Sequence, residues 1–316
     1  MEKKTRILFI CLLGVLLILI LFKFRTKLEN FFFFEFNQKR TFKVETEKLE
    51  KYYAGFKPFR RWEIEDLEIK AEAALSAEID SKGNKKFLFR KNPGKILPIA
   101  SLTKLMTALI AFENYDLLQK VEISPKAAII KGTPNFLRTG ESFYVKDLLY
   151  SLLMESNNIA AQALAEAMGE KKFVQLMNQK AKEIGLFHTY FSNPTGLDPD
   201  SPKITPNSST AEDLVNLSQY LFSQPFLAEI LRTKEFDLYE TNGILHHKIK
   251  NTNQLLTEYP RILGGKTGQT PLAGECLLIV LKGPRAGFLI NVILDSQNRF
   301  EEMKKLTDWV YRAYQW

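Results

Sequence analysis

Histidine and cysteine are scarce in this chain, with three and two copies in 316 residues. His188 stands alone, and His246 and His247 are strand neighbours whose side chains are expected on opposite faces. No Cys or carboxylate cluster accompanies them, so neither a metal site nor any other cofactor is expected. The Gly-x-Ser-x-Gly elbow of Ser-His-Asp hydrolases is missing as well, which removes that route to an activated serine. Cys11 lies in an apolar run and Cys276 in a late strand region, so no disulfide is expected between them. Internal repeats and low-complexity linkers are also lacking.

The positive charge is less informative than it looks. Of the formal +8, half comes from the first 30 residues, which hold six Lys/Arg against two Asp/Glu. No basic run is interleaved with aromatics, so nucleic acid is not an expected partner. With 45% hydrophobic and 25% charged residues, the composition is that of an ordinary globular protein with a sizeable core.

One membrane-length apolar stretch occurs, Ile7 to Phe22, flanked by Lys3, Lys4 and Arg6 before it and by Lys23, Arg25 and Lys27 after it. Snorkelling by Lys23 and extension by Phe24 bring residues 7–24 close to the roughly 20 needed to span a bilayer. The residues that follow do not match an A-x-A-like cleavage site, which favours an uncleaved anchor over a signal peptide. We therefore expect a single-pass anchor over residues 1–30 in the cell membrane and a juxtamembrane stalk over 31–68, with Phe31 to Phe34 as an interfacial belt. A folded domain over 69–316, on the extracytoplasmic side, completes the expected organisation.

Within that domain, Ala71 to Asp80 and Lys86 to Arg90 flank a turn at Ser81 to Asn84 and read as a hairpin. Leu102, Leu105, Met106, Leu109 and Ile110 have helical spacing, which puts Ser101 at a helix start. Helices are predicted over Val145 to Met154, Ile159 to Met168 and Lys171 to Ile184, the last capped by Gly185. Ser209 to Glu212 reads as a capping box opening a helix at Asp213 to Phe222. Strands return at Arg261 to Gly265, Glu275 to Leu281 and Phe288 to Leu294, with a hairpin turn at Asn242-Gly243 before them. A final helix is predicted from Phe300 to the end. The class is α+β: an antiparallel sheet assembled from both chain ends, covered by helices, with a helical region inserted between its parts.

Three short motifs carry the chemistry, in this order: Ser101-Leu102-Thr103-Lys104, Ser156-Asn157-Asn158 and Lys266-Thr267-Gly268. On a helix, Ser101 and Lys104 share a face, so the amine can serve the hydroxyl as base; the plain alternative is a capping serine followed by an exposed lysine. A lysine base must be neutral, and lowering its pKa from about 10.4 to near 7 costs roughly 4 kcal/mol. Burial and a second cation can supply that, with Lys266 as the candidate. Thr267 adds a hydroxyl donor, and Gly268 clears the strand for substrate, thinned further by Gly264-Gly265. Ser156 can relay a proton to a leaving group while Asn158 contacts Lys104 and substrate; the same triplet also serves as a helix N-cap. A decoy Ser296-Gln297-Asn298 falls after the Lys-Thr-Gly.

The longer strings around these cores resemble the D-alanyl-D-alanine carboxypeptidases, the low-molecular-mass penicillin-binding proteins of peptidase family S11. They are Pro98 to Thr107, Leu148 to Ala165, Asn193-Pro194-Thr195-Gly196-Leu197-Asp198 and Leu263 to Gly274. The resemblance implies the β-lactamase/DD-peptidase-like fold and a Ser101 acyl-enzyme formed with peptidoglycan stem peptides ending in D-Ala-D-Ala. It further implies an oxyanion hole from the N–H groups of Ser101 and Gln269, carboxylate binding by Lys266 and Thr267, and acylation of the same serine by β-lactams. Many members have Gly at the position of Asn157, whose larger side chain is expected to narrow the cleft or alter deacylation. The roughly 50 residues after Lys266 are too few for the C-terminal β domain and amphipathic tail of many relatives. A β-lactamase is an alternative, although its Glu-x-x-Leu-Asn string is only approximated by Glu212 to Asn216. A membrane-tethered β-lactam or peptidoglycan sensor that acylates without turnover is another.

Overall fold

The computed structural model describes residues 58–132, 136–284 and 286–316. The expected anchor, the phenylalanine belt and most of the stalk lie outside these residues. Among the described residues no helix is long and apolar enough to cross a membrane.

The main strands, in chain order, are β1 (Ala73–Asp80), β2 (Lys85–Lys91), β3 (Glu235–Tyr239), β4 (Leu245–Lys250), β5 (Ile262–Thr270), β6 (Gly274–Lys282) and β7 (Gly287–Ser296). The main helices are α1 (Thr103–Asn114), α2 (Val145–Met154), α3 (Asn158–Glu166), α4 (Glu170–Glu183), α5 (Ala211–Phe222), α6 (Pro225–Arg232) and α7 (Arg299–Ala313). Five strands form one antiparallel sheet in the order β5-β6-β7-β1-β2, so the N-terminal hairpin joins the C-terminal meander through β7 and β1. The α+β class expected from the sequence is the observed one.

The three inner strands are buried on both faces, which explains their unbroken apolar runs in place of alternation. One face carries α7, whose Met303, Leu306, Trp309 and Val310 pack with Leu277, Ile279, Leu289 and Ile293. The opposite face carries the inserted helices, with α1 at their centre; Thr103 through Ala111 are all buried, as befits a helix surrounded by others.

Three local expectations are corrected. The cap of α5 is Thr210, whose hydroxyl accepts from the Asp213 amide at 3.1 Å, while Ser209 meets Thr189; the Asp213 carboxylate accepts from the His188 amide and the Thr189 hydroxyl. The final helix stops at Ala313, and Tyr314–Gln315 instead pairs antiparallel with Phe59–Arg60. Residues 58–68 therefore belong to the folded unit rather than to a stalk: Arg60 lies 4.9 Å over the Trp309 ring, and Ile64 and Leu67 pack under α7.

Gly264 and Gly265 do not thin a substrate edge. A Cβ on Gly265 would stand 2.5 Å from the Leu278 carbonyl of β6, and one on Gly264 2.9 Å from both Leu231 of α6 and Phe222. They let β5 lie close to its neighbours. Gly265→Ala is expected to destabilise the domain by about 1–3 kcal/mol through overpacking. A lower urea midpoint at unchanged m would register it.

Candidate active site

Ser101 is presented by a strained turn. Ile99 and Ala100 bring the chain out of the Leu97–Pro98 bridge, Ala100 adopts φ 46, and a 3₁₀ turn over Ala100–Leu102 runs into α1. Two close approaches hold this turn. A Cβ on Gly196 would come within 2.0 Å of the Ala100 carbonyl, and one on Gly268 within 3.1 Å of the Ser101 amide nitrogen. Gly268 thus serves first to let β5 press on the serine turn, a tighter constraint than clearance for substrate.

Lys104 is completely buried. Its Nζ lies 2.9 Å from Ser101 Oγ, 2.6 Å from Asn158 Oδ1 and 2.6 Å from the Thr195 carbonyl oxygen. The amide and carbonyl oxygens can only accept, so they take two N–H bonds. A neutral amine then has its lone pair left for the Ser101 hydroxyl proton. Burial pushes Lys104 well below the ordinary lysine range, and the charge of Lys266 adds to the effect. Among the described residues no carboxylate touches it to restore the ammonium.

Lys266 on β5 is also buried; it donates to Ser156 Oγ and to the Thr267 carbonyl, each at 2.8 Å. Burial first and Arg299 second lower it to about 7. Arg299, at the start of α7, donates to the Gly268 carbonyl at 2.9 Å and lines the cleft. Sequence reasoning missed Arg299; its only signal was an arginine one residue after the Asn298 cap of α7.

Ser156 adopts φ 62 between α2 and α3, the left-handed conformation that turns its hydroxyl toward Lys266. Asn157 is fully buried; its Oδ1 accepts from the Ile159 and Ala160 amides at 2.8 and 3.1 Å, and its Nδ2 donates to Glu155 at 3.1 Å. Its side chain points into the cap of α3, so the expected narrowing of the cleft by Asn157 is not found. Asn158 Nδ2 donates to the Lys131 and Gly132 carbonyls, which fixes its Oδ1 toward Lys104.

Ser101, Ser156, Thr267, Gly268, Gln269 and Arg299 line one open cleft of about 820 Å³. A larger groove of about 1130 Å³ between residues 60–70, β2 and α7 contains no serine–lysine pair. Thr267 meets the Thr252 hydroxyl at 2.8 Å. Asp198 accepts from Thr270 Oγ1 and the Leu272 amide, tying the Asn193–Asp198 loop to the end of β5. The decoy Ser296 to Asn298 lies at the end of β7 and caps α7. Glu212 and Asn216 sit on α5 outside the cleft, where Asn216 meets Lys85.

The histidine expectation is also corrected. A register shift between Leu238 and Tyr239 leaves His246 as an extra residue on β4, and both rings come together, Nδ1 to Nδ1 at 2.6 Å.

The chain matches the D-alanyl-D-alanine carboxypeptidase family, Peptidase_S11, over residues 61–298. It belongs to that family. It is 33% identical over 254 residues to the D-alanyl-D-alanine carboxypeptidase DacF of Bacillus subtilis, covering 78% of this chain and 64% of that protein. It is 31% identical over 246 residues to a D-alanyl-D-alanine endopeptidase of Escherichia coli, covering 75% and 77%. Among solved structures, penicillin-binding protein D2 of Listeria monocytogenes in its cefotaxime-bound form superposes with TM-score 0.69 at 28% identity, covering 78% of this chain and all of that one. The D-alanyl-D-alanine carboxypeptidase of Mycobacterium tuberculosis gives 0.72 at 26%, covering 80% and 95%. This S11 member thus has the DD-peptidase fold around its serine–lysine cleft.

The lowered lysine gives a stability signature. Unfolded, Lys266 titrates near 10.4; folded, it titrates at about 7. Between those values the unfolded chain holds a proton that the folded chain has released, so stability rises with pH across the window. Urea midpoints from pH 7 to 9.5 should climb in the native chain and climb less in Lys266→Met.

Proposed function

We propose that the protein is a serine-type D-Ala-D-Ala carboxypeptidase acting on peptidoglycan stem peptides. The single observation that carries the reading is Lys104: a buried amine with two fixed acceptors and its third direction on Ser101 Oγ. Family membership supports the substrate class. The chain covers 64% of its Bacillus relative's length, and the activity rests on the cleft itself.

Ser101 Oγ attacks the carbonyl of the penultimate D-Ala as its proton passes to Lys104 Nζ. The amides of Ser101 and Gln269 take the developing oxyanion, as the family resemblance implies. Lys266 and Thr267 hold the terminal carboxylate, and Arg299, which lines the cleft, supplies the positive field. Ser156 Oγ–H passes a proton to the departing nitrogen and regains one through the lysines; the C–N bond breaks and D-Ala leaves. Water then attacks the Ser101 ester with Lys104 again as base, releasing the shortened peptide. β-Lactams are expected to acylate Ser101 by the same first step, a reading supported by the antibiotic-bound Listeria relative. Residues 7–24 are proposed to anchor the chain in the cell membrane with the catalytic domain outside.

Incubation with a pentapeptide ending in D-Ala-D-Ala and assay of free D-Ala tests the reading. Turnover should vanish in Ser101→Ala and fall about 10²–10⁴-fold in Lys104→Ala. Stoichiometric labelling by fluorescent penicillin without D-Ala release would overturn it in favour of a sensor, and rapid nitrocefin hydrolysis in favour of a lactamase. Arg299→Ala should raise KM for the peptide more than it lowers kcat, because the guanidinium is offered to the carboxylate in ground and transition states alike.

A further inference from the structure

Behind the Ser156 turn runs a line of four titratable side chains that the reaction above does not use. His247 Nε2 lies 3.0 Å from Glu155 Oε2, and His246 Nε2 lies 3.2 Å from Glu141 Oε2. The two rings meet through their Nδ1 atoms at 2.6 Å. Two ring nitrogens at that distance share one proton between them. Each Nε2 faces a carboxylate oxygen within hydrogen-bond distance. The Nδ1–Nδ1 contact needs one proton, and only one, between the rings. With the shared proton gone, two lone pairs would face each other at 2.6 Å; with a second one added, two N–H groups would collide. The contact exists in one protonation state only.

Glu155 connects this pair to the site. Its other oxygen, Oε1, accepts from Ser151 Oγ at 2.6 Å and from Asn157 Nδ2 at 3.1 Å, bracketing Ser156 from both sides in sequence. Burial alone would raise the Glu155 pKa, but hydrogen bonds from His247, Ser151 and Asn157 hold it below the usual range. Ser156 itself is held at φ 62, a conformation a serine keeps only when its surroundings enforce it.

The surroundings of the rings are otherwise apolar: Phe136 at 4.8 Å from His247 and Phe143 edge-on to His246 at 5.4 Å. Among the charged groups around the line, Lys248 turns to Glu235 and Asp237 on β3, Lys250 lines the same cleft as Glu155, Lys266 is reached through Ser156, and the Arg138 amide donates to Glu141 Oε2 at 2.6 Å.

We propose that the Glu141–His246–His247–Glu155 line is a proton-shared brace that positions Ser156, and that it makes acylation of Ser101 depend on the protonation of the histidine pair. The proposal rests on the acyl-transfer reading of the cleft. All four are positioning residues. Gain or loss of the proton between the two rings breaks the Nδ1–Nδ1 contact, so breaking the brace appears as a limb of the rate–pH profile.

The test compares the full chain with His246→Gln, His247→Gln and Glu155→Gln, measuring the acylation rate by fluorescent penicillin and D-Ala release from pH 5 to 9. The native chain should show a limb that is missing in both histidine variants. His247→Gln, which keeps an amide donor for Glu155, should retain most of the plateau rate, and Glu155→Gln should lose about tenfold, or ~1.4 kcal/mol. Substrate KM should stay unchanged in all three, a split that general loosening of the fold would not produce. Unfolding midpoints report whether each variant folds. Should one fail to fold, imidazole ¹⁵N spectra of the native chain across the same pH range must show a proton shared between His246 and His247. Two independent imidazole titrations, or superimposable rate profiles for native and histidine variants, would overturn the proposal. A native chain that is acylated but releases no D-Ala sinks only the carboxypeptidase reading.

Discussion

Lys104 occupies a buried position on α1 with hydrogen-bond acceptors around it and no carboxylate, and the cleft is arranged about that imbalance. A buried amine of this kind relieves its desolvation cost by giving up its proton, which is the state a base needs. The acceptors come from distant parts of the chain: Asn158 from the start of α3 and Thr195 from the loop that also packs on the serine turn. Each is fixed by its own partners, Asn158 by the Lys131 and Gly132 carbonyls and Thr195 by Asn193. The Lys104 amine is thus held through a second set of hydrogen bonds behind its own partners.

Cations near Lys104 form a graded series. Lys266 donates to Ser156, and Arg299 lines the cleft and donates to the Gly268 carbonyl of β5; Lys266 lowers Lys104 and Arg299 lowers Lys266. A guanidinium stays protonated where an ammonium does not, so the positive charge of the cleft resides at the end where a carboxylate would enter. The lowered amine sits on α1 and the persistent cation at the start of α7, so the two properties belong to different elements.

Much of this was legible in the sequence. Ser101 and Lys104 on one helix, Lys266 to Gly268 on a strand, and the Ser156 triplet at a helix start follow from spacing, apolar periodicity and capping chemistry. The fold class followed from strands at both ends with helices between. Other features depend on register and tertiary contact. Asn157 reads as an obstruction in the cleft until its side chain is seen capping α3 and bonding Glu155. The two histidines read as alternating because the extra residue on β4 carries no composition signal of its own. Arg299 lies 33 positions after Lys266, and only the return of β7 beside β6 brings it back to the site. The Gly264-Gly265 pair could not be distinguished from Gly268 without knowing which face of β5 meets β6 and α6.

The two glycines that press on Ala100 and Ser101 have a bearing on how the chain acquires activity. Gly196 and Gly268 lie roughly 95 and 170 positions after the turn they hold, and β1 reaches its partner β7 only after more than 200 residues. Contacts so far apart in sequence close late and slowly during folding. Ala100 and Ser101 therefore reach their packed setting only once both glycines are in place. The serine turn is a feature of the completed fold, dependent on a strand from the last third of the chain.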